Sequence, residues 1–170
     1  MIEEDARQLK SRSRMAFDTQ ASTYDEGMQG EHARRLYPYV VEEVVRAVAG
    51  KCLGAAAKLV AADAERLPFC DSSFDAAWCN DSFHHYPDPE RAAFQAWRVL
   101  APGGTLVIGD AWQPAPARAI MNAWMPYSRE GDVRIYSERE LKGILDRWFS
   151  EVSWRRIGAT ACIAVARKAV

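Results

Sequence analysis

Two adjacent histidines, His84 and His85, follow Asn80-Asp81-Ser82 at the end of an apolar run, and they are the chain's clearest candidates for proton chemistry. An imidazole titrates near neutrality and can take a proton from a hydroxyl or an amine. The plainer role is packing and hydrogen bonding within their own loop, so His84 and His85 are catalytic candidates rather than assignments. No metal site is expected, because neighbouring side chains diverge on strands and helices and the zinc-type ligand spacings are missing. Asp63 is a carboxylate placed just after the short apolar segment Lys58–Ala61, where it either binds a donor or ends a strand as a turn residue. Trp112, Met121, Trp124, Met125 and Tyr127 form an aromatic and Met-rich stretch suited to an apolar or aromatic ligand, and equally to a dimer contact.

The elements that must position these groups follow from local pattern. The polar segment 1–36 reads as a helical or irregular arm. Val40, Val41, Val44, Val45 and Val48 recur at spacings of three and four, predicting a helix over Tyr37–Val48 with one apolar face and a stop at Gly50. Strands are predicted at Lys58–Ala61 and Phe74–Cys79. Asn80 then lies at the carboxyl edge, where open α/β sheets bind their ligands. Asp88-Pro89 opens a helix with a capping Asp and a Pro at the first helical position. That helix stops at Pro102-Gly103-Gly104, before a strand at Thr105–Gly109. Residues 110–136 read as a mobile loop-and-helix excursion. Ser137-Glu138-Arg139-Glu140 has capping-box spacing and opens a helix to about Arg147. Val152–Arg156 and Cys162–Arg167 read as antiparallel strands joined through Gly158. Strands alternating with helices predict one α/β layered domain spanning residues 1–170.

Bulk properties narrow the function classes. The 170 residues are 49% apolar, enough for an ordinary core, and 22 basic against 23 acidic residues give a net charge of −1. No overall field favours nucleic acid or an anionic membrane. The four cysteines, Cys52, Cys70, Cys79 and Cys162, form no C-x-x-C pair and read as buried or half-buried thiols in a reducing cytosol. A cytoplasmic location is expected, since the charged N-terminus lacks a signal pattern and no segment reaches the roughly 18 apolar residues of a membrane helix.

The fragments L-V-A-A-D-A-E-R-L-P-F, ending at Phe69, S-F-D at 73–75 and R-V-L-A-P-G-G at 98–104 stand in a characteristic order. Together they resemble the class I S-adenosylmethionine-dependent methyltransferases of the small-molecule, methyltransferase type 11-like family, over nearly the whole chain. The resemblance implies a Rossmann-like fold with a mostly parallel sheet and an antiparallel last strand. It implies S-adenosyl-L-methionine as cofactor and a small-molecule methyl acceptor, with a homo-oligomer an open option. Asp63 and Ala64 occupy the adenine-binding positions, where a carboxylate suits the exocyclic amine as a charged acceptor. Asn80 and Asp81 fall where the cofactor's methionine part is approached, and Tyr24 belongs to an arm that folds over it. His85, Trp112, Trp124 and Tyr127 fall on the acceptor side, with residues 110–136 as a substrate lid.

The chain departs from the family upstream. Where the family has a strand, a glycine-rich loop, a helix and a second strand, this chain has only AGKCLGAAA at 49–57, and no G-x-G occurs anywhere. About 40 residues are missing by this reading, among them the first strand-helix-strand unit. A catalytically inactive module serving as an interaction domain is therefore the alternative. A nicotinamide-dependent oxidoreductase is disfavoured, because it needs the same kind of glycine-rich turn.

Overall fold

The computed structural model describes residues 2–23, 30–50, 60–127 and 131–170. Five helices and four strands organise them. α1 spans Ile2–Gln20 and α2 spans Glu31–Ala47, followed by β1 (Phe74–Asn80) and a 3₁₀ turn at Phe83–His85. Then come α3 (Pro89–Val99), β2 (Leu100–Ala111), α4 (Ala115–Trp124), α5 (Glu138–Leu145), β3 (Glu151–Ile157) and β4 (Ala161–Arg167). The sheet order is β1-β2-β4-β3. β1 and β2 are parallel, while β4 runs antiparallel to both β2 and β3. Parallel pairing is thus confined to the one pair whose connection is the right length for a helical crossover, α3.

The end signals are realised where they were chemically explicit. Asp88 accepts the Arg91 N–H at 2.9 Å, with Pro89 as the first helical residue. Ser137 and Glu140 cap α5 reciprocally, at 3.2 Å and 2.8 Å. The antiparallel β3–β4 pair turns at Gly158, whose φ is +57°. Other boundaries moved. α2 begins at Glu31, six residues before the predicted Tyr37, and carries Pro38 on its solvent side, where water can satisfy the released carbonyl. Pro102-Gly103-Gly104 does not precede the strand but lies inside β2, as an irregularity across which the pairing passes from Phe74↔Leu100 to Ala76↔Thr105. A bulge absorbs extra residues without ending the ladder. Only half of the predicted strand Lys58–Ala61 falls within the described residues; Val60 and Ala61 there are exposed and in no strand.

Alternation along the strands sorts the core. Leu106 and Ile108 point to the face covered by α3 and α5, where Phe83, Leu100, Leu141 and Leu145 complete a buried cluster. Val107 points to the other face and meets Leu36 and Val40 of α2. α2 approaches so closely that a Cβ on Gly109 would stand 2.5 Å from Val40 Cγ2. The predicted α2 stripe is wider than its contact: Val40 is buried, but Val41 and Val45 are 38% and 57% exposed. Among the described residues β1 ends the sheet, and Trp78 on it is 58% exposed.

Candidate functional site

Two of the buried ionisable residues among those described, His84 and Asp110, lie at the carboxyl ends of β1 and β2. Asp81 leaves β1 with φ +54°, its N–H donating to Gly109 O at 2.7 Å, and this turns the chain into the Phe83–His85 turn. Its carboxylate meets His32 Nδ1 of α2 at 2.7 Å, while His32 Nε2 lies 3.2 Å from Thr160 O. The bond to Asp81 is the main reason the His32 pKa is raised. Asn80 also turns toward α2, with Nδ2 donating to Ala33 O at 3.1 Å.

One turn on, His84 is almost wholly buried against Asp110, the last inward-facing residue of β2. Asp110 accepts the His84 backbone N–H at 2.9 Å and sits 2.5 Å from its Nδ1. Burial opposes the charged imidazole, but the adjacent Asp110 charge and hydrogen bond override it and push the His84 pKa up to about 9. His85 shifts the other way. Burial and the His84 charge lower its pKa, against the pull of Asp132 and the Gly131 backbone.

The expectation that the two histidines diverge is overturned. On a 3₁₀ turn their ring centroids are 4.1 Å apart, and Asp132 Oδ1 approaches both, at 3.6 Å from His84 Nε2 and 3.4 Å from His85 Nδ1. The divergence rule holds for regular strands and α-helices, and this turn is neither. The segment bearing Asp132 is pinned there, since the Val133 and Arg134 N–H groups both donate to His84 O.

A cleft of about 790 Å³ lies between α1 and this edge, within the roughly 300–1,000 Å³ range of small-molecule sites. Asp63, Ala64, Ser82 and His85 line it on one side and Arg14 and Phe17 of α1 on the other. Phe17 meets His85 edge-on at 5.4 Å. Lys10 Nζ bridges Asp63 Oδ2 at 2.9 Å and Glu65 Oε2 at 2.6 Å, tying α1 to the turn. Burial notwithstanding, the Lys10 bond and the Glu65 N–H hold the Asp63 pKa below the usual carboxylate range. A carboxylate offers about four lone-pair sites. Asp63 thus keeps acceptor capacity for a further donor such as an adenine amine.

Of the site residues expected from sequence, Asp63, Ala64 and His85 converge on this cleft. The side chains of Asn80 and Asp81 face α2 instead, and His84 lies behind His85. Trp112 lines a separate cleft with Trp154, 6.0 Å away, and the guanidinium of Arg156 stands 5.5 Å from its ring. Trp124 and Tyr127 are 70% and 79% exposed and pack on each other. Tyr24 lies outside the described residues. Asp110, Asp132, Lys10 and His32 were missed; Asp110, ending the apolar run T-L-V-I-G-D, carried the one readable signal, a carboxylate at a strand's carboxyl end. Cys79 and Cys162 are the inner thiols expected, with pKa values pushed up by burial to about 11 and about 12, whereas Cys70 is exposed.

Residues 28–108 match the family model described as "Methyltransferase domain". The chain is similar, over that segment of just under half its length, to methyltransferase domains. Its segment most like the 27-O-demethylrifamycin SV methyltransferase of Amycolatopsis mediterranei is 51% identical over 57 residues, covering 33% of this chain and 21% of that protein. A longer match, 28% identical over 114 residues, is to the demethylmenaquinone methyltransferase of Paenarthrobacter aurescens and covers 58% of this chain and 45% of the relative. The chain thus spans less than half the length of either relative. Its fold is shared with a SAM-dependent methyltransferase from Thermotoga maritima, at TM-score 0.55 and 23% identity over 63% of this chain and 62% of the other. A chain of a Haloferax volcanii complex between a methyltransferase activator and a methyltransferase aligns at TM-score 0.70 and 15% identity, over 91% of this chain and 98% of that one.

Proposed function

We propose that this protein transfers a methyl group from S-adenosylmethionine to a small-molecule acceptor, in a single domain with residues 1–36 as an arm and 110–136 as a substrate lid. The observation that carries this reading is the convergence of Asp63, Ala64 and His85 on one cleft beneath α1. Asp63 and Ala64 hold the adenine, the first through its carboxylate and the second through its backbone. Asn80 and Asp81 shape the strand end that faces the methionine part, and Tyr24 continues the arm over the cofactor. His85 lines the acceptor end, and the lid segment carries Trp112, Trp124 and Tyr127, which in this structure stand away from that cleft and would have to close over it. When bound, the cofactor supplies an activated methyl on sulfur. The chain's own contribution is alignment, which can supply much of the rate in such a displacement. The free thiols suit a reducing cytosol, and no helix among the described residues is long and apolar enough to cross a membrane.

Calorimetric titration with S-adenosylhomocysteine tests the reading without knowledge of the acceptor. Saturable one-site binding is expected. Asp63→Ala should weaken it roughly 10–100-fold, the loss of a hydrogen bond to a charged acceptor. A folded chain that releases no heat with this ligand would overturn the reading and favour the cofactor-blind interaction module, which the lack of any G-x-G motif motivates.

A further inference from the structure

Asp110 fixes the His84 ring through Nδ1, so the ring's other nitrogen, Nε2, is directed at Asp132 Oδ1, 3.6 Å away. On the same oxygen, at 3.4 Å, converges His85 Nδ1, a buried atom with no hydrogen-bond partner among the described residues. All three atoms lie within 4.8 Å of one another. In a tetrahedral shell with metal–nitrogen and metal–oxygen bonds of about 2.0–2.2 Å, neighbouring donors stand about 3.3–3.6 Å apart. The two nitrogen-to-oxygen separations are already near that spacing, although neither is a hydrogen bond of good geometry.

We propose that His84 Nε2, His85 Nδ1 and Asp132 Oδ1 form a site for a divalent transition ion of the zinc class, beside the acceptor end of the cleft. Two imidazoles and one carboxylate are a donor set such ions take, with a further position left for water or an exogenous ligand. The outer arrangement is also that of a metal centre: Asp110 accepts from Nδ1 of His84, which sets the tautomer and presents Nε2 as a lone pair. The scaffold is firm on the third side. Gly131 packs against α1 so tightly that a Cβ there would meet Ser13 N at 2.7 Å, and the next residue is Asp132. Since His85 also lines the cleft, the ion would stand one imidazole ring from the acceptor.

The site rests on this geometry and not on cofactor binding, so it is tested separately. The full chain, stripped with a chelator and dialysed, is titrated with Zn²⁺ by calorimetry and with Co²⁺ by visible absorption. One ion per chain at micromolar affinity or tighter is expected, with the d–d absorption of four-coordinate cobalt. Asp132→Asn and His85→Gln should each weaken Zn²⁺ binding about tenfold or more, and Asp110→Asn, acting from outside the ligand shell, about 10–100-fold. Circular dichroism checks the fold of each variant, and Asp132→Asn decides alone if His85→Gln does not fold. Absence of stoichiometric binding by the folded chain would overturn the proposal and leave His84 and His85 as groups that pack and hydrogen-bond within the turn. Zn²⁺ affinity unmoved by Asp132→Asn would overturn it equally. The S-adenosylhomocysteine titration on the same sample reports the fate of the cofactor reading independently.

Discussion

On the sheet face covered by α3 and α5, thirteen buried side chains among the described residues form one cluster around Leu100, Ile108 and Leu145, whereas the face under α2 gathers five around Val40 and Val107. The same strands serve both, because Leu106 and Ile108 alternate with Val107 and Gly109 along β2. What differs is the cover. Two helices close the first face, and α2 crosses the second with its Val41 and Val45 still exposed. Phe74 and Trp78, which alternation puts on the α2 side of β1, remain exposed as well. Among the described residues the larger apolar cluster therefore lies on one face, while the other positions His32 and Asn80 near the ligand edge.

Truncation should expose the asymmetry most strongly. Leu145→Ala is expected to lose stability in the upper half of the range of about 2–5 kcal/mol for such changes, and Leu36→Ala in the lower half, because a single helix relaxes into its cavity more readily than a closed cluster does. Urea denaturation of both variants measures the contrast; equal losses would show the two faces to be equally rigid. Gly109→Ala probes the α2 contact from the opposite direction, by overpacking against Val40, and should cost about 1–3 kcal/mol in the same assay.

The polar side of the α2 contact responds to pH. His32 has a folded-state pKa raised above its ordinary 6.5, first by its bond to Asp81. Its stabilisation is fully present below that ordinary value and fades as pH rises through the raised one. Denaturation midpoints followed upward from pH 6 should fall more for the native protein than for His32→Gln, and parallel curves would dissociate the pair from stability. Trp78→Lys should have the smallest effect, within about 0.5 kcal/mol, while reducing self-association at the exposed edge of β1. Sedimentation and denaturation on the same sample measure both.

Legibility in the sequence followed the range of the interaction. The Asp88-Pro89 start, the Ser137–Glu140 capping box and the Gly158 turn are written in residues three or four apart, and each is found as read. The start of α2 was not legible, because Gly30 offers no side-chain cap and Pro38 argues locally for a break. At the candidate site, Asp63 was readable from its place after an apolar segment. Its partner Lys10 is 53 residues away, and Asp110 is 26 residues from His84, so no local pattern announces either pairing. Side-by-side histidines were misjudged for a geometric reason: the rule applied to regular elements, and the turn that holds them is tighter.

The contact of Gly131 with α1 also sets a schedule. Lys10 and Phe17 are made well over a hundred residues ahead of the glycine that α1 packs against. At synthesis rates of about 5–20 residues per second, the helix waits roughly 6–24 s for that surface. Through that interval the partners of Lys10 among the described residues are Asp63 and Glu65, themselves newly made. During translation, the wall of the cleft that is made first is among the last to be seated.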